Sequence, residues 1–230
     1  MFSFSHINLW ASFRRLRPWT TKFKLKGRDY GGWYDAANDT RIGWFAAAFP
    51  DAISVLELGS LEGGHTCGLT RLPGVKRVVG VEGREENIIR AKFAQKKLGY
   101  RAEFVQADLE AFDLSKLGRF DAVYCCGLLY HLTKPWELLA RIAKVTDRLF
   151  LSTHFTFENP PPANENGIPG QWVGEFGLAD PLSGLSRQSF WPTRTGLTRM
   201  LNAVGFRAQH VWETNEKHPN GPLVTLSAAK

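Results

Sequence analysis

From residue 53 onward, short apolar runs alternate with amphipathic stretches, a rhythm that predicts strands separated by helices. Residues 53–58 read as a buried strand that stops at Gly59 and the pair Gly63-Gly64, followed by a short helix over 65–72. Residues 78–82 read as a second strand. Over 84–98, Ile88, Ala91, Ala94 and Leu98 recur on one helical face, and Gly99 stands where that helix should end. Residues 102–107, 121–125 and 148–153 supply three more strands, and 135–145 a helix with Pro135 in its first turn. Upstream, a helix over about 36–49 follows the glycine-hinged aromatic stretch Tyr30-Gly31-Gly32-Trp33-Tyr34-Asp35.

Strands alternating with helices imply a parallel sheet with crossover connections. Residues 154–192 interrupt the rhythm: they are rich in Pro, Gly, Asn and aromatics and show no periodicity. A segment that long inside a domain is usually functional, and Phe157, Trp172, Phe176, Phe190 and Trp191 point to an ordered cover. A helix near 193–204 leads into two strands, 206–213 and 222–228, joined by a short polar turn, which predicts an antiparallel hairpin. The expected fold is therefore α/β: a Rossmann-like doubly wound sheet, mostly parallel, with a C-terminal antiparallel hairpin.

Charge changes the picture at one end only. The chain has 29 Lys plus Arg against 22 Asp plus Glu, a formal charge of +7 over 230 residues. Arg14, Arg15, Arg17, Lys22, Lys24, Lys26 and Arg28 fall in residues 1–28, which hold no acid, so the remainder is electrically balanced. The expected organisation is a basic N-terminal arm (1–28) and one domain (29–230) carrying the 154–192 insertion. Three cysteines, Cys67, Cys125 and Cys126, make no disulfide framework and no CxxC pair, which fits a reducing compartment. No apolar run is long enough to span a bilayer, and the N-terminus lacks a secretory h-region. The expected location is cytoplasmic, with organelle targeting by the Arg- and Ser-containing arm left open.

Chemistry concentrates in Glu57-Leu58-Gly59-Ser60-Leu61-Glu62-Gly63-Gly64. A glycine-rich turn between strand and helix lets backbone approach a ligand. Leu61 stands where GxGxxG would carry a glycine, and the acid at Glu57 suits a cationic ligand better than a phosphate. Glu57-x-Gly59-x-x-x-Gly63 resembles the first motif of class I S-adenosylmethionine-dependent methyltransferases. Glu82, ending the second strand, matches the carboxylate that this family sets against the ribose hydroxyls. Asp108, after the third strand, matches the acid set against the adenine amino group. Residues 120–124 resemble the fourth-strand motif, followed by Gly127-Leu128-Leu129-Tyr130-His131-Leu132. The resemblance covers roughly 50–155 and 193–228. It implies S-adenosyl-L-methionine as cofactor, with Glu57, Gly59, Ser60, Gly63, Glu82, Gly83, Asp108, Leu109 and Cys125 contacting it.

Transfer from an activated sulfonium asks the protein mainly for positioning and proton removal. The fourth strand is not followed by an NPPY-like tetrapeptide, and no acidic cluster suggests a magnesium-dependent catechol enzyme, so metal-independent transfer to an O or N nucleophile is expected. His131 and His154, near strand C-termini, are the candidate bases; Tyr34, Tyr130 and Trp172 are candidates for the acceptor pocket. Gly127–Pro135, with Phe190-Trp191-Pro192-Thr193, is also similar to relatives of the tRNA wobble-uridine carboxymethyltransferases, which use a carboxylated cofactor. Three readings follow: a methyltransferase of a small molecule; an RNA-modifying enzyme whose arm holds phosphates, with Phe13, Trp19 and Phe23 between its cations; and a cofactor-binding scaffold whose arm docks on a membrane or partner.

Overall fold

In this computed structural model, which describes residues 4–159 and 163–230, the chain opens with α1 (Phe4–Arg15) and a small hairpin, β1 (Lys22–Leu25) and β2 (Arg28–Gly31). Helix α2 (Thr40–Ala48) leads into the alternation expected from sequence: β3 (Ser54–Leu58), α3 (Gly64–Leu69), β4 (Arg77–Glu82), α4 (Glu85–Leu98), β5 (Glu103–Gln106), β6 (Ala122–Cys126), α5 (Pro135–Val145) and β7 (Arg148–His154). Strands β8 (Ala163–Glu165), β9 (Ile168–Gly174) and β10 (Gln188–Pro192) precede α6 (Arg194–Ala203) and the closing pair β11 (Ala208–Asn215) and β12 (Leu223–Ala229).

The main sheet has the order β11-β12-β7-β6-β3-β4-β5. Strands β5, β4, β3, β6 and β7 run parallel, while β12 pairs antiparallel with β7 and with β11. The α/β fold with a C-terminal antiparallel pair is thus as expected. The parallel strands read as continuous apolar runs because both of their faces are covered. Leu56, Leu58, Val79 and Val123 pack with Leu138 and Ile142 of α5 and Leu197 and Leu201 of α6. The alternate residues Val55, Tyr124 and Phe150 pack with Ile42 and Phe45 of α2 and Leu69 of α3. Successive strands are added in opposite directions on the two sides of the β3–β6 pair, and such a switch point opens a crevice at the strand C-termini.

The insertion is an ordered cover. Strands β8, β9 and β10 form their own antiparallel sheet, and the loop from 175 to 187 folds back toward the crevice. Alternation fails in β9 for a steric reason: a Cβ at Gly170 would lie 2.3 Å from the Phe190 ring on the paired strand.

The N-terminal segment departs from the expected arm. In β1 the order Lys22, Phe23, Lys24, Leu25 alternates, so lysines face out and Phe23 faces in. The hairpin turns through Lys26 (φ 51°) and Gly27 (φ 76°), the left-handed pair that tight hairpins use. Phe13, Trp19, Phe23 and Tyr30 form a buried aromatic cluster against Phe93, Ala94 and Leu98 of α4. The Trp19 indole donates to the Phe13 carbonyl at 2.8 Å. The aromatics read as interleaved with the cations are therefore core residues and offer no surface on which bases could stack. The Thr20 and Thr21 amides also donate to the buried Glu62 carboxylate, at 3.0 and 2.6 Å to Oε2. Residues 9–35 are folded onto the domain. Phe23→Ala is expected to cost about 3–5 kcal/mol, read as a lower urea midpoint; an unchanged midpoint would show that this cluster contributes nothing to the fold.

Candidate functional site

The turn from β3 to α3 is held in a conformation that few residues adopt. Gly59 (φ 76°), Leu61 (φ 48°) and Gly63 (φ 79°) are all left-handed. For leucine this is strained backbone, and the Leu61 amide is fixed by donating to Glu82 Oε2 at 2.9 Å. The position where a glycine was expected takes a glycine-like conformation without being glycine. Gly63 and Gly64 serve packing: a Cβ at Gly63 would lie 2.8 Å from the Tyr100 hydroxyl, and one at Gly64 would lie 2.6 Å from Ala36 and Thr21 side-chain atoms.

Above the turn lies a cavity of about 890 Å³ at the C-terminal ends of β3, β4, β6 and β7. One wall carries Gly59, Ser60, Leu61, Glu82, Gly83, Asp108 and Leu109. Glu82 ends β4, and its Oε1 accepts from the Arg84 amide at 2.9 Å. Asp108 Oδ1 accepts from the Glu110 amide at 2.9 Å. Gly83 admits the cover, since a Cβ there would lie 2.8 Å from Leu185. Arg84 clamps the cover loop, donating to the carbonyls of Gly177 and Asp180 at 2.8 Å and of Ser183 at 3.0 Å.

Three expected cofactor contacts lie behind this wall. Glu57 is fully buried beneath the turn: Oε2 accepts from the Thr66 hydroxyl and Oε1 has no partner. Burial pushes its carboxyl up to about 8. Gly63 faces Tyr100 and Phe104, away from the cavity. Cys125 points into the core, and its neighbour Cys126 lines the cavity instead, because successive strand residues face opposite ways.

A second wall holds a polar cluster to which the sequence reading gave only one member, Tyr34. The Tyr34 hydroxyl donates to Asp39, accepts from Arg41 and lies 3.1 Å from His65 Nε2. Arg41 also donates to Asp39 Oδ1 at 2.9 Å. Burial pushes the Tyr34 phenol up and His65 down. Against its own burial, hydrogen bonds from His65 and Arg41 hold Asp39 well below the usual carboxylate range. His65 directly follows the glycine pair that closes the turn motif; Arg41 carried no local signal.

The third wall brings Tyr130, His131 and His154 together with Trp191 and His218. His131 Nδ1 lies 2.8 Å from Oε1 of Glu175, which the cover supplies. Glu175 also accepts from the Ser183 hydroxyl, from the Gly184 amide at 3.0 Å and from the Ser189 hydroxyl at 3.0 Å. Although burial opposes it, the hydrogen bonds from His131 and Ser183 hold Glu175 down at about 2. His154 Nδ1 lies 2.9 Å from the Gly221 carbonyl and 3.1 Å from that of Pro222. Burial pushes His154 below its ordinary value. Trp172 is not on this wall: it packs on Phe190, with its indole donating to Glu165 at 3.1 Å. Trp191 stands there instead.

Among the described residues no group of three or more His, Cys, Asp or Glu is arranged to hold a metal ion, and no helix is long and apolar enough to cross a membrane.

Residues 55–148 match the family model described as a methyltransferase domain. The N-terminal domain of EvdMO1, solved in the presence of S-adenosylhomocysteine (SAH) and D-fucose, is 34% identical with a TM-score of 0.87, covering 97% of this chain and 96% of that one. Against the structure named simply EvdMO1, identity is 32% and TM-score 0.77 over 97% of this chain, which spans 47% of that protein. The Burkholderia thailandensis 1,6-didemethyltoxoflavin-N1-methyltransferase, with its didemethyltoxoflavin and SAH bound, shares the fold at 20% identity and TM-score 0.61, covering 85% of this chain and 79% of that one. A search of curated proteins finds no match.

The raised Glu57 carboxyl has a consequence for stability. Its folded form keeps a proton that the unfolded chain releases near 4.5, so this contribution is present below that pH and is lost as pH rises toward about 8. Glu57→Gln is expected to remove the loss, so that between pH 5 and 8 the melting temperature of the wild type falls relative to the variant by ~5 °C or more. Parallel melting curves would contradict the assignment.

Proposed function

Since the chain belongs to the class I S-adenosylmethionine-dependent methyltransferases, sharing 34% identity with a relative solved in the presence of SAH across nearly the whole of both chains, we propose that it methylates a hydroxyl oxygen of a small polar acceptor seated beneath the cover, with His131 as base. S-adenosylmethionine is the cofactor, and when bound it supplies a methyl group on a positively charged sulfur, already activated for transfer.

The residues fit that group. Each Glu82 oxygen accepts one backbone amide and keeps a lone pair for a ribose hydroxyl. Asp108 has an oxygen left for the adenine amino group. Ser60, whose Oγ has no partner, lines the cavity at the turn, where a methionyl ammonium would meet it, while Glu57 stays behind the turn and holds it through Thr66. Arg41, on the second wall, is the cation for the methionyl carboxylate.

The observation that carries the reading is the His131–Glu175 pair. The ionised carboxylate can only accept, so it keeps the proton of neutral His131 on Nδ1 and leaves Nε2 to take one from the acceptor. The same carboxylate offsets the charge that His131 then gains. Because Glu175 belongs to the cover, base alignment and exclusion of water depend on the same closed segment. The 34%-identical relative was solved in the presence of D-fucose, a small polyhydroxylated molecule, which supports an acceptor of that size.

Two substitutions separate cofactor from chemistry. Glu82→Ala is expected to weaken SAH binding at least ~10-fold by calorimetry, the loss of about one charge-assisted hydrogen bond. His131→Ala is expected to leave SAH binding within a factor of ~2 and to lower SAH production from free sugars and polyols by ~10²–10⁴-fold. Full activity in His131→Ala would refute the base assignment.

A further inference from the structure

The two histidines of the third wall are locked in one tautomer by unrelated partners. His131 Nδ1 faces the Glu175 carboxylate at 2.8 Å, and His154 Nδ1 faces two backbone carbonyls at 2.9 and 3.1 Å. All of these partners can only accept, so each neutral ring carries its proton on Nδ1 and turns Nε2 out as a bare lone pair. Neither Nε2 has a hydrogen-bond partner among the described residues. Both rings line the cavity and pack on the same Tyr130 ring, with centroids 4.1 and 4.4 Å away. His154 is further held flat on Trp191, 5.0 Å away at 12°. Flipping it to exchange nitrogens would forfeit both carbonyl bonds. Nearby His218 has the opposite polarity, since its Nδ1 accepts the Asn220 amide at 3.3 Å and its Nε2 bears the proton.

Two fixed acceptors on one wall, bracketing one aromatic ring, must be matched by two donors on whatever the wall binds. Ethers, carbonyls and carboxylates offer none, and a lone alcohol offers one. We infer that the acceptor carries two neighbouring hydroxyl groups, one facing His131 Nε2 as the methylated position and the other donating to His154 Nε2, left unchanged. His154 is then a specificity-determining residue and not a second base. The inference rests on the reading of His131 given above.

The test measures binding apart from methyl transfer. SAH-loaded protein is titrated calorimetrically with cis- and trans-1,2-cyclohexanediol, D-fucose and myo-inositol, and with cyclohexanol as the single-hydroxyl control. At least one vicinal diol is expected to bind ~10-fold or more tightly than cyclohexanol, the effect of one buried acceptor left unmatched. His154→Phe keeps a ring against Trp191 but removes the acceptor, and is expected to close that gap while SAH still binds; His154→Gln, whose amide oxygen can accept, is expected to restore part of it. Equal binding of diols and cyclohexanol, no binding by any diol, or a gap that persists in His154→Phe would overturn the inference. The wild-type comparison stands without any variant. Preferential diol binding with no SAH production from any hydroxyl compound would refute the methylation reading while supporting this one.

Discussion

The carboxylate of Glu82 holds a backbone that the turn would not keep alone. By accepting the Leu61 and Arg84 amides, it pins a leucine in left-handed conformation and fixes the floor of the cavity. Two other carboxylates act alike on other segments. Glu62 gathers the Thr20 and Thr21 amides and so ties the N-terminal segment to the turn. Glu175 gathers two hydroxyls, an amide and an imidazole, and so ties the cover to His131. A carboxylate removed from water needs donors, and for Glu62 and for the Glu175–His131 contact they come from dozens of residues away in sequence. The site is assembled by that requirement. Glu57 is the exception: one oxygen is unmatched, and burial raises its carboxyl above the usual carboxylate range.

The parallel sheet was legible because strands covered on both faces must be apolar throughout, and because Gly59, Gly99 and Pro135 punctuate them at their ends. Glu82, Asp108, His131 and His154 could be placed at the cavity from sequence because each lies at or beyond the C-terminal end of a strand, where this topology opens its crevice. The N-terminal hairpin carried its own signal, Lys-Phe-Lys-Leu followed by Lys26-Gly27, but a charge count sums lysines without regard to which face they occupy. Glu175 was not legible. It lies in a segment whose strands pair through glycine and aromatic packing, and its partner is set by how that segment folds back on the loop after β6. Arg41 and Trp191 were hidden likewise, since each reaches the cavity only through how its segment packs against the rest of the fold.

The positive charge reads differently once located. Lys22 sits within 4.0 Å of Asp29 and 3.6 Å of Asp35, and Arg14 lies over the Trp10 ring. These cations decorate the outside of a hydrophobic clasp whose inner face supports the glycine turn through Thr20, Thr21 and Glu62. The segment supports the turn and, through Thr20, Thr21 and Tyr34, also lines the cavity.

Arg84 carries a consequence for the cover. Its guanidinium binds carbonyl oxygens of Gly177, Asp180 and Ser183 at once, two residues after the acid assigned to the ribose. All three carbonyls meet one terminal nitrogen of Arg84, so moving that one side chain away would free the loop at three points. The loop therefore behaves as a latch with a single catch.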